Sequence, residues 1–283
     1  MKLHTKWILI TMLAVVILSP DSVLIRLADT DSWGLVFWRG VGFGVGVLLF
    51  LVATRPKSIR NDFYSIGNEG ILLGFLFGLN SVTFVLALEF TSIANTLIII
   101  SSAPIITAII AWLLLGERVN MATIIAMLVV FSGIYFVMSD SFGNINIKGD
   151  LFALSTATMM GISFTLIRKH KAISMVPAMS VGGFSSAALS LIFAPTIFLP
   201  IEALWYVVAM CFVCTVSFIL ITLAPRHVPA AEVGMIMPLE TVLGPLFAWI
   251  IISEEPSNKA IIGGTIVILT LFIHSWYTAT SEN

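Results

Sequence analysis

An all-α integral membrane protein is what this sequence predicts, and three observations carry the reading. Of 283 residues, 59% are hydrophobic and 10% charged, far more apolar than the roughly 45–50% apolar, about 25% charged composition of soluble domains. Apolar stretches of about twenty residues recur along the whole chain, long enough at about 1.5 Å per residue to cross a bilayer core of about 30 Å as helices. The segment that closes the fourth stretch returns, altered, at the close of the ninth. Together these predict ten transmembrane helices, arranged as two inverted five-helix repeats around a central cavity.

The stretches fall at 7–27, 34–53, 68–89, 93–115, 121–138, 150–167, 175–195, 203–223, 230–252 and 260–277. Each is a continuous apolar run on transfer-scale logic, unlike the short alternating segments of an outer-membrane barrel. Lys2 and Lys6 precede the first, as in a signal peptide. That run is long, holds Pro20 and Asp21, and shows no small-x-small cleavage site before Asp29, so an uncleaved helix is expected. Almost nothing remains for a soluble domain, and the two repeats are expected at 1–140 and 148–277.

With the N-terminus in the cytoplasm, the inner loops and tail hold Lys2, Lys6, Arg55, Lys57, Arg60, Arg118, Arg168, Lys169, Lys171 and Arg226, and the outer loops only Lys148 and Lys259. The outer loops carry acids instead: Asp29, Asp31, Asp140, Glu202, Glu254 and Glu255. The positive-inside rule therefore expects both termini in the cytoplasm of a cell that carries this multi-pass protein in its inner membrane. A net charge of −1 and a pI near 6.4 point to no nucleic-acid partner.

"AWLLLGERVN" (111–120) and "AWIIISEEPSN" (248–258) are related by a shift of 137 that lays Ala111 on Ala248, Trp112 on Trp249 and Glu117 on Glu254; Ala87 falls on Ala224. "VLIR" (23–26) matches "TLIRK" (165–169) at a shift of 142. Two halves of five spans follow, and because five is odd the second half is upside down relative to the first, the arrangement that supports alternating access around a midplane site.

These features, with "SSAPIITAIIAWLLLGERV" (101–119) and "PLETVLGPLFAWIIISEEPS" (238–257), resemble the drug/metabolite transporter superfamily, its EamA-type branch, over nearly the whole chain. The second half departs from the pattern, with Ser253 in place of the glycine before Glu254 and Thr241 where the first half has Pro104. The resemblance implies a secondary transporter of small metabolites, more often an exporter, with the first, third, fourth, sixth, eighth and ninth spans lining the cavity. It also implies that an acidic residue at the Glu240 position is common.

Intramembrane ionisable residues are costly and mark function by default. Asp21, in "VILSPDSVLIR" (16–26), is the deepest charge of the first span, and Pro20 loosens the backbone before it. Arg26, about 140° around the helix from Asp21, is expected to snorkel. Arg39, beside Trp38, either clamps a substrate carboxylate or neutralises Asp21. Glu240 sits between Pro238 and Pro245 in a segment that reads as broken; it binds an amine or a proton, or satisfies freed backbone donors. Asn80, Asn95, Ser101, Ser102 and Ser217 are polar positions in or at the ends of spans, either interhelical glue or ligand contacts. Glu232 lies nearer the cytoplasmic mouth.

Gly40 and Gly44, Gly42 and Gly46, and the series Gly70, Gly74 and Gly78 recur every fourth residue and predict close helix packing. "CFVC" (211–214) reads as two apolar thiols. No P-loop, G-x-S-x-G or H-E-x-x-H pattern occurs, so neither an ATP site, an enzyme, a metal nor a cofactor is expected. The expected function is alternating-access export of amino acids or related zwitterions, with the bilayer as partner and protons as a coupling candidate. Organic cations, drugs, sugar-type metabolites and a passive channel are the alternatives.

Overall fold

The structure, a computed structural model, describes residues 3–91, 93–117, 119–138, 147–253 and 258–281. Among them there is no strand. The first span is two helices, α1 (Leu3–Leu18) and α2 (Asp21–Ala28). Pro20 supplies no N–H and breaks the ladder between them; the Ser19 N–H and hydroxyl both donate to Val15 O, at 2.9 and 2.7 Å, so Ser19 is satisfied at the break. Next, α3 (Ser32–Thr54) is capped by Asp31, whose carboxylate accepts the Gly34 N–H at 2.8 Å. A short polar helix that the hydropathy pattern does not mark, α4 (Ile59–Ser65), leads into α5 (Gly67–Phe90).

The fourth expected span is also divided, into α6 (Ile93–Ile100) and α7 (Ala103–Leu115), then come α8 (Met121–Met138), α9 (Ile147–Lys169), α10 (Val176–Phe193) and α11 (Ile201–Leu223), the last running on as a 3₁₀ turn at Ala224–Arg226. The ninth is divided again, into α12 (Ala230–Ile236) and α13 (Leu239–Ile252), and α14 (Asn258–Ser281) completes the set. Among the described residues, seven stretches are long and apolar enough to cross a membrane: Leu3–Ala28, Ser32–Thr54, Gly67–Phe90, Ile147–Lys169, Val176–Phe193, Ile201–Arg226 and Glu232–Ile252. The remaining three expected spans are represented by shorter apolar helices at Ala103–Leu115, Met121–Gly133 and Ile261–His274. Of the loop charges singled out in the sequence, Lys2, Arg118, Asp140, Glu254 and Glu255 lie outside the described residues.

Packing follows the small residues. The α10 helix lies between α3 and α5, its most extensive neighbours. A Cβ added at Gly40 would stand 2.5 Å from the Gly183 carbonyl, and one at Gly183 2.6 Å from that of Gly40, so only a pair of glycines lets these backbones approach so closely. α9 packs on α5 and α7, α11 closes the ring against α1, α2 and α3, and α8 pairs with α14. Large side chains on the outside are apolar: Leu113 is 67% and Trp205 77% exposed. A surface of that kind is matched to hydrocarbon rather than to water.

Candidate functional site

Three broken spans converge on the site. The Pro20 break starts α2 with Asp21, 1% exposed, and α3 brings Arg39, 5% exposed, against it. The Arg39 Nη2 donates to Asp21 Oδ2 at 2.6 Å, while Nη1 donates to Ser81 Oγ at 2.6 Å. Cys214 on α11 completes the group: its Sγ lies 3.2 Å from Arg39 Nη2 and its S–H donates to Asp21 Oδ1 at 3.2 Å. The guanidinium also stands 5.8 Å from the centre of the Phe84 ring, a cation–π distance. A buried ion pair is tolerated only when further hydrogen bonds satisfy both partners. Here both carboxylate oxygens are engaged, and of the guanidinium nitrogens only Nε lacks a partner.

This pair lines a cavity of about 60 Å³, room for a few waters. Asn80, Ser81, Thr156 and Glu240 add polar groups, and Phe43, Phe77, Phe84 and Phe218 build much of the apolar wall. Glu240 occupies the first turn of α13 and is 8% exposed. It has no hydrogen-bond or ion-pair partner among the described residues. Its place at a helix N-terminus favours negative charge there, but no cation among the described residues is hydrogen-bonded or ion-paired to it.

Of the other positions singled out in the sequence, Asn80 reaches the cavity and donates from Nδ2 to Thr156 O at 3.0 Å, beside a 2.7 Å contact between the Thr83 and Thr156 hydroxyls. Trp38 does not line the cavity; its indole donates to Ile197 O at 2.8 Å and ties α3 to the loop before α11. Ser101 and Ser217 are buried but off the cavity wall, Ser217 with its hydroxyl unpartnered. Ser102 returns its hydroxyl to Ile99 O at 2.7 Å. The Asn95 side chain lies outside the described residues. Glu232 pairs with His4 at 3.0 Å, away from the cavity, and Arg26 is exposed.

The reading of "CFVC" as two apolar thiols is corrected. Both cysteines are free, yet Cys214 bonds the ion pair and Cys211 rests against the Trp38 and Arg39 carbonyls at 3.7 and 4.0 Å. The three-residue spacing, which puts both on one helix face, was the available signal. Ser81, Thr156 and Phe84 carried none. No trio of His, Cys, Asp or Glu among the described residues is arranged to hold a metal.

The EamA-like transporter family model matches residues 5–139 and 147–276. An uncharacterized transporter of Methanothermobacter thermautotrophicus is 27% identical over 204 residues, 68% of this chain and 60% of its own length. The chain thus spans about three-fifths of that relative. An uncharacterized transporter of Archaeoglobus fulgidus is 24% identical over 253 residues, 87% of this chain and 78% of its own. A solved crystal structure superposes with a TM-score of 0.80 at 17% identity, covering 97% of this chain and 98% of that one, a likeness of fold. With the family pattern running through both stretches of the chain, the protein belongs to the EamA-like transporter family, within the drug/metabolite transporter superfamily.

Proposed function

We propose that the protein is a secondary carrier that moves a small amine-bearing metabolite by alternating access between two inverted five-helix halves. Corresponding features support the halves: the divisions at Ser101–Ser102 and Met237–Pro238, 136 residues apart, and the left-handed helix ends at Gly116 (φ 67°) and Ser253 (φ 57°), 137 apart. The charge layout favours both termini in the cytoplasm, and export is the commoner direction that the family resemblance implies.

One observation carries the cargo reading. Asp21 is neutralised by Arg39, so Glu240 leaves the cavity one uncompensated negative charge. In a buried cavity walled largely by phenyl rings, that charge demands a proton or a cation. An amine and a proton would therefore compete for Glu240, which couples their movements. Amino acids and related zwitterions remain the preferred cargo because Arg39 Nε is buried without a partner and can receive a carboxylate. Organic cations are the second reading, favoured by the commitment of Arg39 to Asp21.

Uptake of radiolabelled amino acids and simple amines into proteoliposomes, with and without a proton gradient, tests both. Glu240→Gln is expected to lower gradient-driven transport roughly 10–150-fold, the worth of a charge-assisted hydrogen bond. Full activity in that variant removes Glu240 from the mechanism. Amines moved as well as the matching amino acids would select the organic-cation reading.

A further inference from the structure

We propose that the run Arg168–Lys169–His170 is a clasp that holds one end of the bundle shut in this conformation, and that Arg26 is its counterpart at the other end, engaged when the first lets go. The proposal rests on the alternating-access reading above and says which contacts the two states exchange.

The last turn of α9 is tied to three other elements at once. Arg168 Nε donates to Glu117 Oε1 at 2.6 Å, just beyond α7, and its Nη1 to Pro225 O at 3.2 Å, in the turn after α11. Lys169 Nζ holds both Glu69 oxygens, at 2.9 and 3.1 Å, at the start of α5, and His170 Nε2 shares Glu69 Oε2. Arg226 answers from the same turn, donating to Lys171 O at 2.9 Å. At this end, too, Trp7 of α1 stacks on His227, rings 4.4 Å apart and 9° from parallel, and His4 meets Glu232 at 3.0 Å. The N-terminal end of α1 is thereby joined to the approach to α12.

The exposure of these pairs separates them from the central one. Side chains of Arg168 and Glu117 are 17% and 30% exposed, and those of Lys169 and Glu69 47% and 43%, against 7% and 2% for Arg39 and Asp21. Water replaces the partners of a half-exposed pair at little cost, whereas a dry pair resists separation. Contacts that must form and break in every cycle belong to the first kind.

An inverted repeat supplies the other half of the device, because its two halves exchange roles between the two states. The shift of 142 that superposes "VLIR" on "TLIR" lays Arg26 on Arg168. Arg26 is in the last turn of α2, about 33 Å along the first span from His4 and the clasped end. It is exposed and has no ion-pair partner among the described residues. The basic residue at the clasped end is thus engaged, and its repeat equivalent at the far end is idle.

The test reads access to the cavity from each side. Cys214 lines the cavity, so in a Cys211→Ser background its reaction with a membrane-impermeant thiol reagent, in vesicles of both orientations, reports which end is open. Glu117→Gln and Arg168→Gln are expected to raise the rate from the clasped end about three- to tenfold by shifting the population between states. The charge swap Glu117→Arg with Arg168→Glu is expected to restore the native rate. Arg26→Gln is expected to move the two rates in the opposite sense. Unchanged rates in Glu117→Gln, or Arg26→Gln acting in the same sense as Arg168→Gln, overturn the proposal. Labelling needs no cargo, so a wrong cargo leaves the test intact. Native protein that labels from one side under every gradient sinks the alternating-access reading instead.

Discussion

Asp21 and Glu240 share a local grammar and part company in three dimensions. Each opens a helix just after a proline-marked break, and each is at least nine-tenths buried against the same cavity. Asp21 has both oxygens engaged, one by Arg39 and one by Cys214, whereas Glu240 has neither engaged among the described residues. A charge that its own protein has satisfied fastens helices together, here α2, α3 and α11. One left unsatisfied is available to a visitor. Under the carrier reading proposed above, two acids that look alike along the chain divide the labour between holding the site and using it.

The largest effect expected from this contrast is on stability. Arg39→Leu strands a buried carboxylate and is expected to cost about 3–5 kcal/mol, read by thermal unfolding in detergent. Adding Asp21→Asn to it removes the stranded charge and should recover most of the loss; a double variant as unstable as the single would show that the pair is not the fastening. For Glu240→Gln the same melting experiment should show no loss, because the change removes a desolvated charge and breaks no contact. A loss above about 2 kcal/mol would mean that Glu240 has a structural partner after all.

Smaller effects test the likeness of the halves. Ser253 holds the left-handed conformation that Gly116 holds in the first half, at φ 57° against 67°, and a side chain there costs about 1–2 kcal/mol. Ser253→Gly is expected to raise stability by about 1 kcal/mol, and no gain would argue that the turn is relaxed. The smallest effect concerns His227, whose pKa is held below the usual 6.5 by burial first and the Arg226 charge second. A lowered histidine pKa means that the fold favours the neutral ring. The stack on Trp7 is thus fully supported above pH 6.5 and weakens as the pH falls through the lowered value. Acid-dependent tryptophan fluorescence, lost in His227→Phe, would register it.

Much of this was legible in the residues, and the gaps have physical reasons. Pro20 and Pro238 announce their breaks because a missing N–H interrupts the ladder where it stands. The break at Ser101–Ser102 is quieter, since Pro104 falls in the first turn of α7, where a helix tolerates it. The Asp21–Arg39 pair required knowing which faces of α2 and α3 meet, so the contact between them emerges only from packing. Trp38 was drawn to the site by its neighbour, yet one residue along a helix is about 100° around it, enough to turn it toward Ile197. Cys214 was passed over because a thiol in an apolar run reads as a small hydrophobe until a charge is placed beside it.

The glycine contact between α3 and α10 has a mechanical consequence. Backbones pressed together at Gly40 and Gly183 cannot slide without driving carbonyls into each other, so these two helices, with α5 against α10, behave as one stiff plate. The compliant places are the interrupted ladders within the first, fourth and ninth expected spans, all three of which border the cavity. Under the carrier reading proposed above, motion is carried by joints set beside the cavity, and the plate is the frame against which they turn.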